Sequence, residues 1–180
     1  MTKLLFVAIA VYSSPLLADD GAKINALFVK DATVLGAPDS KDYRRCEVTI
    51  GEWATQLENK NAPLSGWKYV EASSQTTCPQ TRTGFVQSDA VVLMDDFKPV
   101  TRWIGPSSIA LEGGDWSGVY SFAKDGSFTL QDGATKRGRM FRSGRVFLAR
   151  FDKDQTTLEV FVLDPERGLC WPNRRGICKK

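Results

Sequence analysis

The side chains with the clearest chemical potential are four cysteines and one arginine-rich segment. The cysteines, Cys46, Cys78, Cys170 and Cys178, contain no Cys-x-x-Cys pair, the spacing typical of zinc knuckles and of thiol exchange. Their even number favours two disulfides, for which three pairings are possible. We expect Cys46–Cys78 and Cys170–Cys178, because each bridge then falls within one predicted domain.

Histidine is absent from the chain, and this limits the available chemistry. Ser-His-Asp sites, Cys-His sites and His-ligated zinc sites all require an imidazole. The aspartates lie mostly in predicted turns, linkers or the N-terminal segment, and the sequence contains no Gly-rich phosphate loop or EF-hand. We therefore predict a protein that is not an enzyme and that uses no cofactor or metal.

The arginine-rich segment begins at Lys136 and continues to Arg150, and no acidic residue interrupts positions 133–151. The planar guanidinium group suits carboxylates and phosphates. On an extended strand, Arg137 and Arg139 would point to one face, and Lys136 and Arg142 to the other. A solvated face that protects a sheet edge is the alternative role. The candidate binding residues here are Arg137, Arg139, Arg142 and Arg145.

A second candidate contact is the ring that a Cys170–Cys178 bridge would close. This ring would display Trp171, Arg174 and Arg175, and Trp and Arg are favoured anchors at protein interfaces. A ring fixed before binding loses little entropy when it docks. The alternative role, which is compatible with the first, is a staple that secures the C-terminal segment.

The first eighteen residues are typical of a secretory signal peptide. Lys3 precedes an apolar run over 4–11, and Ala18 suits the cleavage position before two aspartates. The run is shorter than the roughly 20 residues of a membrane-spanning helix. We expect export to the periplasm with removal of residues 1–18, oxidised cysteines, and no transmembrane segment in the mature chain. A retained N-terminal anchor is the alternative.

The composition indicates an all-β protein, because helical signals are scarce and Gly, Thr, Val, Phe and Trp are plentiful. We expect a small barrel over 19–98, a linker over 99–112, and an antiparallel β-meander or half-barrel over 113–180. Asp-Gly and Ser-Gly turns separate the alternating strands of the meander. Its last strands are apolar on both faces, so this sheet must curl on itself or pack against the N-terminal half.

Charge is spread unevenly along the chain. Residues 19–98 carry nine basic and twelve acidic side chains, whereas residues 99–180 carry fourteen and nine. The C-terminal half can therefore present a basic face, although the net charge of the whole chain is only +3. We do not expect nucleic acid as a partner of an exported protein with so low a charge.

Three segments of the N-terminal half resemble bacterial SH3-type (SH3b) domains. Residues 32–40 are similar to the first strand and Gly-Pro loop of these domains, residues 65–70 to their Gly-Trp-x-x-Val strand, and residues 82–91 to their closing Thr-Gly-Trp-Val segment. The resemblance implies a closed five-stranded barrel without an active site. Domains of this kind bind cell-wall peptides or partner proteins. Trp53 and Tyr43 are then the candidate exposed contact residues.

Two further observations bear on these resemblances. The segment 72–83 is longer than the usual hairpin and contains Cys78, so a disulfide between loops would alter the usual ligand groove. In the C-terminal half, the Trp-x-Gly-x-Tyr pattern over 116–120 and the following Asp-Gly-x-Phe are loosely similar to lipocalin-like and lysozyme-inhibitor β-barrels. That likeness assigns no functional position.

Taken together, these features favour a non-catalytic periplasmic binding protein. It would recognise cell-wall peptide or an envelope protein through the SH3-like domain. One alternative is an inhibitor or immunity protein that blocks an exported lytic enzyme or toxin. The other is a structural subunit of an envelope secretion or conjugation assembly.

Overall fold

The computed structural model describes residues 24–38, 44–58, 65–73, 83–113, 116–154, 156–172 and 177–179. The predicted signal peptide, 1–18, lies outside these residues. Within the described part, all regular structure is antiparallel β-strand apart from short 3-10 turns, which confirms the predicted all-β class. None of the described segments forms a helix long and apolar enough to cross a membrane.

The N-terminal half forms a seven-stranded sheet with the strand order β3-β2-β6-β5-β4-β1-β7. Short 3-10 turns at Ser88–Ala90 and Met94–Asp96 flank the last strand. This order does not by itself identify an SH3-type barrel, so the resemblance to SH3b domains stays a prediction. The strands are β1 (Ala26–Phe28), β2 (Ala32–Leu35), β3 (Arg44–Val48), β4 (Trp53–Gln56), β5 (Trp67–Ala72), β6 (Thr83–Gln87) and β7 (Val91–Leu93).

The C-terminal half forms a second sheet in which each strand pairs with the next along the chain from β9 to β16. The short strand β8 pairs with β12 beside this path. The strands are β8 (Lys98–Pro99), β9 (Ser108–Gly113), β10 (Trp116–Phe122), β11 (Ser127–Gln131), β12 (Thr135–Ser143), β13 (Val146–Phe151), β14 (Leu158–Asp164), β15 (Gly168–Trp171) and β16 (Ile177–Lys179).

The turns of this meander follow the predicted signals. Gly126, Gly133 and Gly144 occupy three successive hairpin turns with φ values of 81°, 91° and 58°. Positive φ is unfavourable for other residues, which is why Asp-Gly and Ser-Gly mark such turns. Successive hairpin turns alternate between the two ends of the sheet. The turns around Gly133 and Asp154 therefore share one end, and those around Gly126 and Gly144 share the other.

The segment 99–112, expected as a linker, instead belongs largely to the second sheet. Strand β9 pairs with β10 from Ser108 to Gly113. Before it, Trp103 stacks on Phe122 at 4.5 Å between ring centroids and meets Phe147 edge-on at 5.1 Å. The indole of Trp103 also donates a hydrogen bond to the carbonyl of Pro106. The Gly-Pro composition of this segment thus marks a packed loop and an edge strand.

The second sheet curls around an aromatic core on what we call its inner face. Phe161 on β14 contacts Tyr120 and Phe122 on β10, with ring centroids 5.3 and 6.2 Å apart. Three strands separate β10 from β14 in the sheet, so these contacts require the sheet to curve back on itself. Alternate residues of β13, such as Phe147 and Ala149, belong to the same core.

The outer face of β13 and β14 packs against the N-terminal sheet. Val146, Leu148, Val160 and Val162 form one buried cluster with Leu27 and Phe97. At Gly51, where φ is 88°, a Cβ atom would lie 2.7 Å from Pro172 and 2.9 Å from Val162, so the two halves approach closely. Both apolar faces of the last strands are therefore buried. The curl of the sheet buries the inner face, and the N-terminal half buries the outer face.

The disulfides agree with the predicted pairing where the structure describes them. Cys170 and Cys178 lie directly opposite each other on β15 and β16 and are joined. Cys46 is buried on β3 and is also disulfide-bonded. Its predicted partner, Cys78, lies outside the described residues.

Candidate functional site

The outer face of the second sheet is uncovered at β11 and β12, and two candidate arginines lie there. Arg137 is directly opposite Thr129, and Arg139 is directly opposite Ser127. Opposed residues of paired strands point to the same side, so all four side chains share this face. We call Arg137, Arg139, Ser127 and Thr129 the arginine face. As predicted from strand alternation, Arg137 and Arg139 project together.

Both arginines of this face are exposed. Within the part of the chain that the structure describes, neither takes part in an ion pair or a side-chain hydrogen bond. Arg139 interacts electrostatically with Asp125. The pKa of Asp125 is lowered, first by hydrogen bonds from Ser127 and to a smaller extent by the charge of Arg139. The arginine face therefore offers two guanidinium groups to a partner.

Gly138 lies between the two arginines and points to the inner face. A Cβ atom at this position would lie 2.2 Å from the carbonyl oxygen of Arg150 and 2.6 Å from the ring of Phe128. Phe128 in turn meets Phe151 edge-on at 5.2 Å. The glycine thus lets the aromatic core reach the strand that carries the arginines, which places both on a rigid support.

Arg142 and Arg145 do not join the arginine face. The Nε of Arg142 donates to the carbonyl of Gly144 at 2.8 Å, and its guanidinium lies 5.7 Å from the ring centre of Phe147. Arg145 is exposed in the following turn. Both residues lie towards the opposite end of the sheet from Gly133. The structure therefore divides the four predicted arginines into two pairs.

A cleft of about 840 Å³ opens at the Gly133 end of the half-barrel. Its apolar lining comes from Leu130 and Phe151, which end the inner face of β11 and β13. We call it the mouth cleft. Its charged lining residues are the basic Lys136, Arg137 and Lys153 and the acidic Asp132, Asp152, Asp154 and Glu159.

Glu159 is the charged residue that β14 directs towards the interior. It shares the inner face with Phe161, and its Oε2 accepts a hydrogen bond from the hydroxyl of the fully buried Tyr120 at 2.5 Å. A half-buried carboxylate requires such partners because burying an unpaired charge is costly. Tyr120 therefore fixes Glu159 at the boundary between the aromatic core and the mouth cleft.

The rim of the mouth cleft is held by local contacts. Lys136 pairs with Asp132 across the hairpin turn, with 2.7 Å between Nζ and Oδ2. Asp154 accepts hydrogen bonds from the side chains and backbone amides of Thr156 and Thr157. These bonds lower the pKa of Asp154 to about 2. The turn beside the cleft is therefore stabilised by an ionised carboxylate.

The two aromatic candidates within the described residues pack against other side chains of the protein. Trp171 was expected on display, but it is only 3% exposed and stacks on Phe161 with 6.1 Å between centroids. That expectation is wrong, because the register of β15 turns this side chain into the inner core. Trp53, expected as an exposed contact, is half-buried and packs against the cluster between the two sheets. Tyr43, Arg174 and Arg175 lie outside the described residues.

Glu159, which lines the cleft, and Tyr120, which holds it, were not among the predicted site residues. The sequence does contain a signal for Glu159. Strand β14 is apolar apart from this residue and the aspartate at its last position. Its alternation with Phe161 and Leu163 assigns it to the inner face. The partnership with Tyr120 depends on the curl of the sheet, which local sequence does not encode.

No protein-family model, no curated protein and no solved structure matches this chain. Among the described residues, no group of three or more Cys, Asp or Glu side chains is arranged to hold a metal ion.

Proposed function

We propose that this protein is a non-catalytic binding protein of the cell envelope that recognises a carboxylate-bearing partner, either cell-wall peptide or an envelope protein. The observation that carries the proposal is the arginine face, where Arg137 and Arg139 project from one strand without an ion pair in the described part of the chain. Arginine binds carboxylates through paired, charge-assisted hydrogen bonds.

The location of the face supports this proposal. Residues 99–180 carry an excess of basic side chains, although the net charge of the whole chain is only +3. A local excess of this kind steers an acidic partner to one surface. We therefore place the principal contact on the outer face of the second sheet. The N-terminal half, where the sequence resembles SH3b domains, is not the principal contact in this proposal.

The proposal includes export to the periplasm, with the disulfides formed there. The predicted signal peptide supports this location, as does the disulfide between Cys170 and Cys178, since disulfides persist in oxidising compartments. Fractionation of cells that produce the full chain tests it. We expect a shortened, oxidised protein in the periplasmic fraction, and a full-length cytoplasmic protein would contradict the proposal.

Co-sedimentation with purified peptidoglycan sacculi tests wall recognition. We expect the exported protein to pellet at low and at moderate salt, and the Arg137→Ala/Arg139→Ala variant to remain in solution. A matched control is Arg102→Ala/Lys124→Ala, which removes two exposed positive charges that lie outside the arginine face. Pelleting of the wild type that disappears at moderate salt would indicate only non-specific attraction, because salt screens exposed charges.

A second candidate function is inhibition of an exported wall-degrading glycosidase. Arg137 and Arg139 are two positions apart on an extended strand, which separates their Cα atoms by about 6.6 Å. Glycosidases carry two catalytic carboxylates about 5–9.5 Å apart, and the Cα spacing of the two arginines falls within this range. This candidate predicts tight one-to-one binding to the enzyme and loss of its activity.

Assays of lytic activity on wall substrate separate the two candidates. For an inhibitor, the exported protein lowers the rate, and the Arg137→Ala/Arg139→Ala variant does not. The control variant at positions 102 and 124 should inhibit as the wild type does. For a wall-binding protein, the sacculi bind directly and the intrinsic rate of the enzyme on a soluble substrate is unchanged.

A further inference from the structure

The mouth cleft is lined by both apolar and charged side chains, whereas the arginine face is polar. Its deeper part is apolar, at Leu130 and Phe151, whose side chains belong to the inner core. Beside these lies the carboxylate of Glu159, and basic side chains line the cleft as well. A concave apolar site with a few converging polar groups is the usual form of a small-ligand site.

The charges of the cleft restrict the class of ligand. Four acidic and three basic side chains line it, so a simple anion would meet repulsion from the carboxylates. A wholly apolar ligand would remove charged side chains from water without adding a polar contact, which is costly. A ligand that carries both a positive and a negative group satisfies both kinds of lining.

We propose that the mouth cleft binds an amino acid or peptide that carries a side-chain ammonium group, as lysine does. The ammonium lies against Glu159, the alkyl chain lies along Leu130 and Phe151, and the carboxylate faces Lys153, because Lys136 is already paired with Asp132. This proposal goes beyond the proposed function, because it concerns a different ligand group and a different surface. Arg137 alone borders both.

The contact between Tyr120 and Glu159 determines how the ammonium is recognised. A carboxylate has about four acceptor positions, so Glu159 can accept from a ligand while it also accepts from the Tyr120 hydroxyl. The buried tyrosine fixes the carboxylate before the ligand arrives, and a fixed group loses less entropy on binding. The ammonium is then selected by charge and by position together.

Three matched probes test the ligand class by isothermal titration calorimetry with the exported protein. Lysine carries every proposed group, norleucine lacks only the side-chain ammonium, and 1,5-diaminopentane lacks only the carboxylate. We expect lysine to bind, and norleucine and 1,5-diaminopentane each to bind at least about tenfold more weakly, since a charge-assisted hydrogen bond is worth about that factor. Absence of lysine binding, or equal binding of norleucine, would overturn the proposal.

Two matched variants test the role of Glu159. Glu159→Gln keeps the size of the side chain and an acceptor for Tyr120 but removes the charge, so it should reduce lysine binding to the level of norleucine. Glu166→Gln makes the same chemical change in an exposed turn at the opposite end of the sheet and should leave lysine binding unchanged. Full lysine affinity in Glu159→Gln would contradict the assignment.

Chemical-shift mapping keeps the test decisive if Glu159→Gln does not fold. In the wild type, lysine should shift the backbone amide signals of the two turns that border the cleft, around Gly133 and around Asp154. Shifts confined to other surfaces would overturn the proposal. Failure here is distinguishable from failure of the proposed function when Arg139→Ala alone is used in the sacculus and inhibition assays, because Arg139, unlike Arg137, does not line this cleft.

Discussion

The outer face of the second sheet is covered at β13 and β14 and uncovered at β11 and β12, and two arginines show the difference. Arg139 and Arg150 lie directly opposite each other on neighbouring strands. Arg150 donates to the carbonyl of Met94 at 2.7 Å and lies 4.6 Å from the ring centre of Phe141. Within the described ranges, Arg139 makes no such contact. The same residue type is therefore structural on one strand and available for binding on the next.

The comparison teaches that burial by the N-terminal sheet decides the role of each side chain on this face. Arg150 also lies 3.6 Å from the exposed carboxylate of Asp95, so its charge is met at the junction between the sheets. Exposed ion pairs of this kind contribute little stability, so the hydrogen bond and the ring contact matter more.

The largest effect is expected in the covered region. Leu148→Ala removes a fully buried side chain from the cluster between the two sheets and should lower the free energy of unfolding by about 2–5 kcal/mol. Urea unfolding followed by tryptophan fluorescence and circular dichroism should show one transition at a lower midpoint. The control Val119→Ala changes a side chain that is 43% exposed and should have little effect. Two separate transitions would contradict a shared core.

The next effect concerns the support beneath the uncovered region. Gly138→Ala forces a Cβ atom against the carbonyl of Arg150 and the ring of Phe128, so it should destabilise the fold by about 1–3 kcal/mol. Thermal unfolding measures this loss. An unchanged midpoint would show that β12 and β13 can separate without cost, and the arginine face would then not be rigid.

The two arginines themselves give a direct contrast. Arg150→Ala should lower the free energy of unfolding by about 1 kcal/mol, because it removes one hydrogen bond and one ring contact. Arg139→Ala should leave stability unchanged and weaken pelleting with the partner. Paired urea titrations and sedimentation assays of both variants measure this contrast. Equal effects of the two substitutions on stability would remove the distinction between the regions.

The smallest effect concerns the turn beside the mouth cleft. The pKa of Asp154 is lowered from 3.8 to about 2, chiefly by hydrogen bonds from Thr156 and Thr157. A carboxyl group whose pKa is lower in the folded state than in the unfolded state stabilises the fold at pH values above its ordinary pKa. This contribution is lost as the pH falls from 3.8 through about 2. NMR titration of the carboxyl carbon measures the pKa, and Thr157→Val should raise it towards the ordinary value.

Local sequence signals predicted the meander well and its packing less well. The Asp-Gly and Ser-Gly turns gave hairpins because positive φ is a local requirement, and strand alternation placed Arg137 and Arg139 on one face. Trp171 was expected to be exposed because it lies in the ring that the Cys170–Cys178 bridge closes. Its burial depends on the register of β15 against β14, a contact between separate strands.

The features that the sequence did not predict depend on contacts between residues that are far apart in the chain. Strand β9 follows a Gly-Pro segment and becomes recognisable only through its pairing with β10. Glu159 and Tyr120 are 39 positions apart, and they meet only because the sheet curls. Alternation identifies the face on which a side chain lies, but the surroundings of that face are set by the whole fold.

In-cell photo-crosslinking tests the central claim most directly. A photoreactive amino acid at Thr129, beside Arg137 on the arginine face, should form adducts with an envelope protein or with peptidoglycan. These adducts should be lost in the Arg137→Ala/Arg139→Ala background and absent when the photoreactive group replaces Glu166, in the exposed turn between β14 and β15. Adducts that persist without the two arginines, or that form equally from position 166, would contradict the assignment of this face as the binding surface.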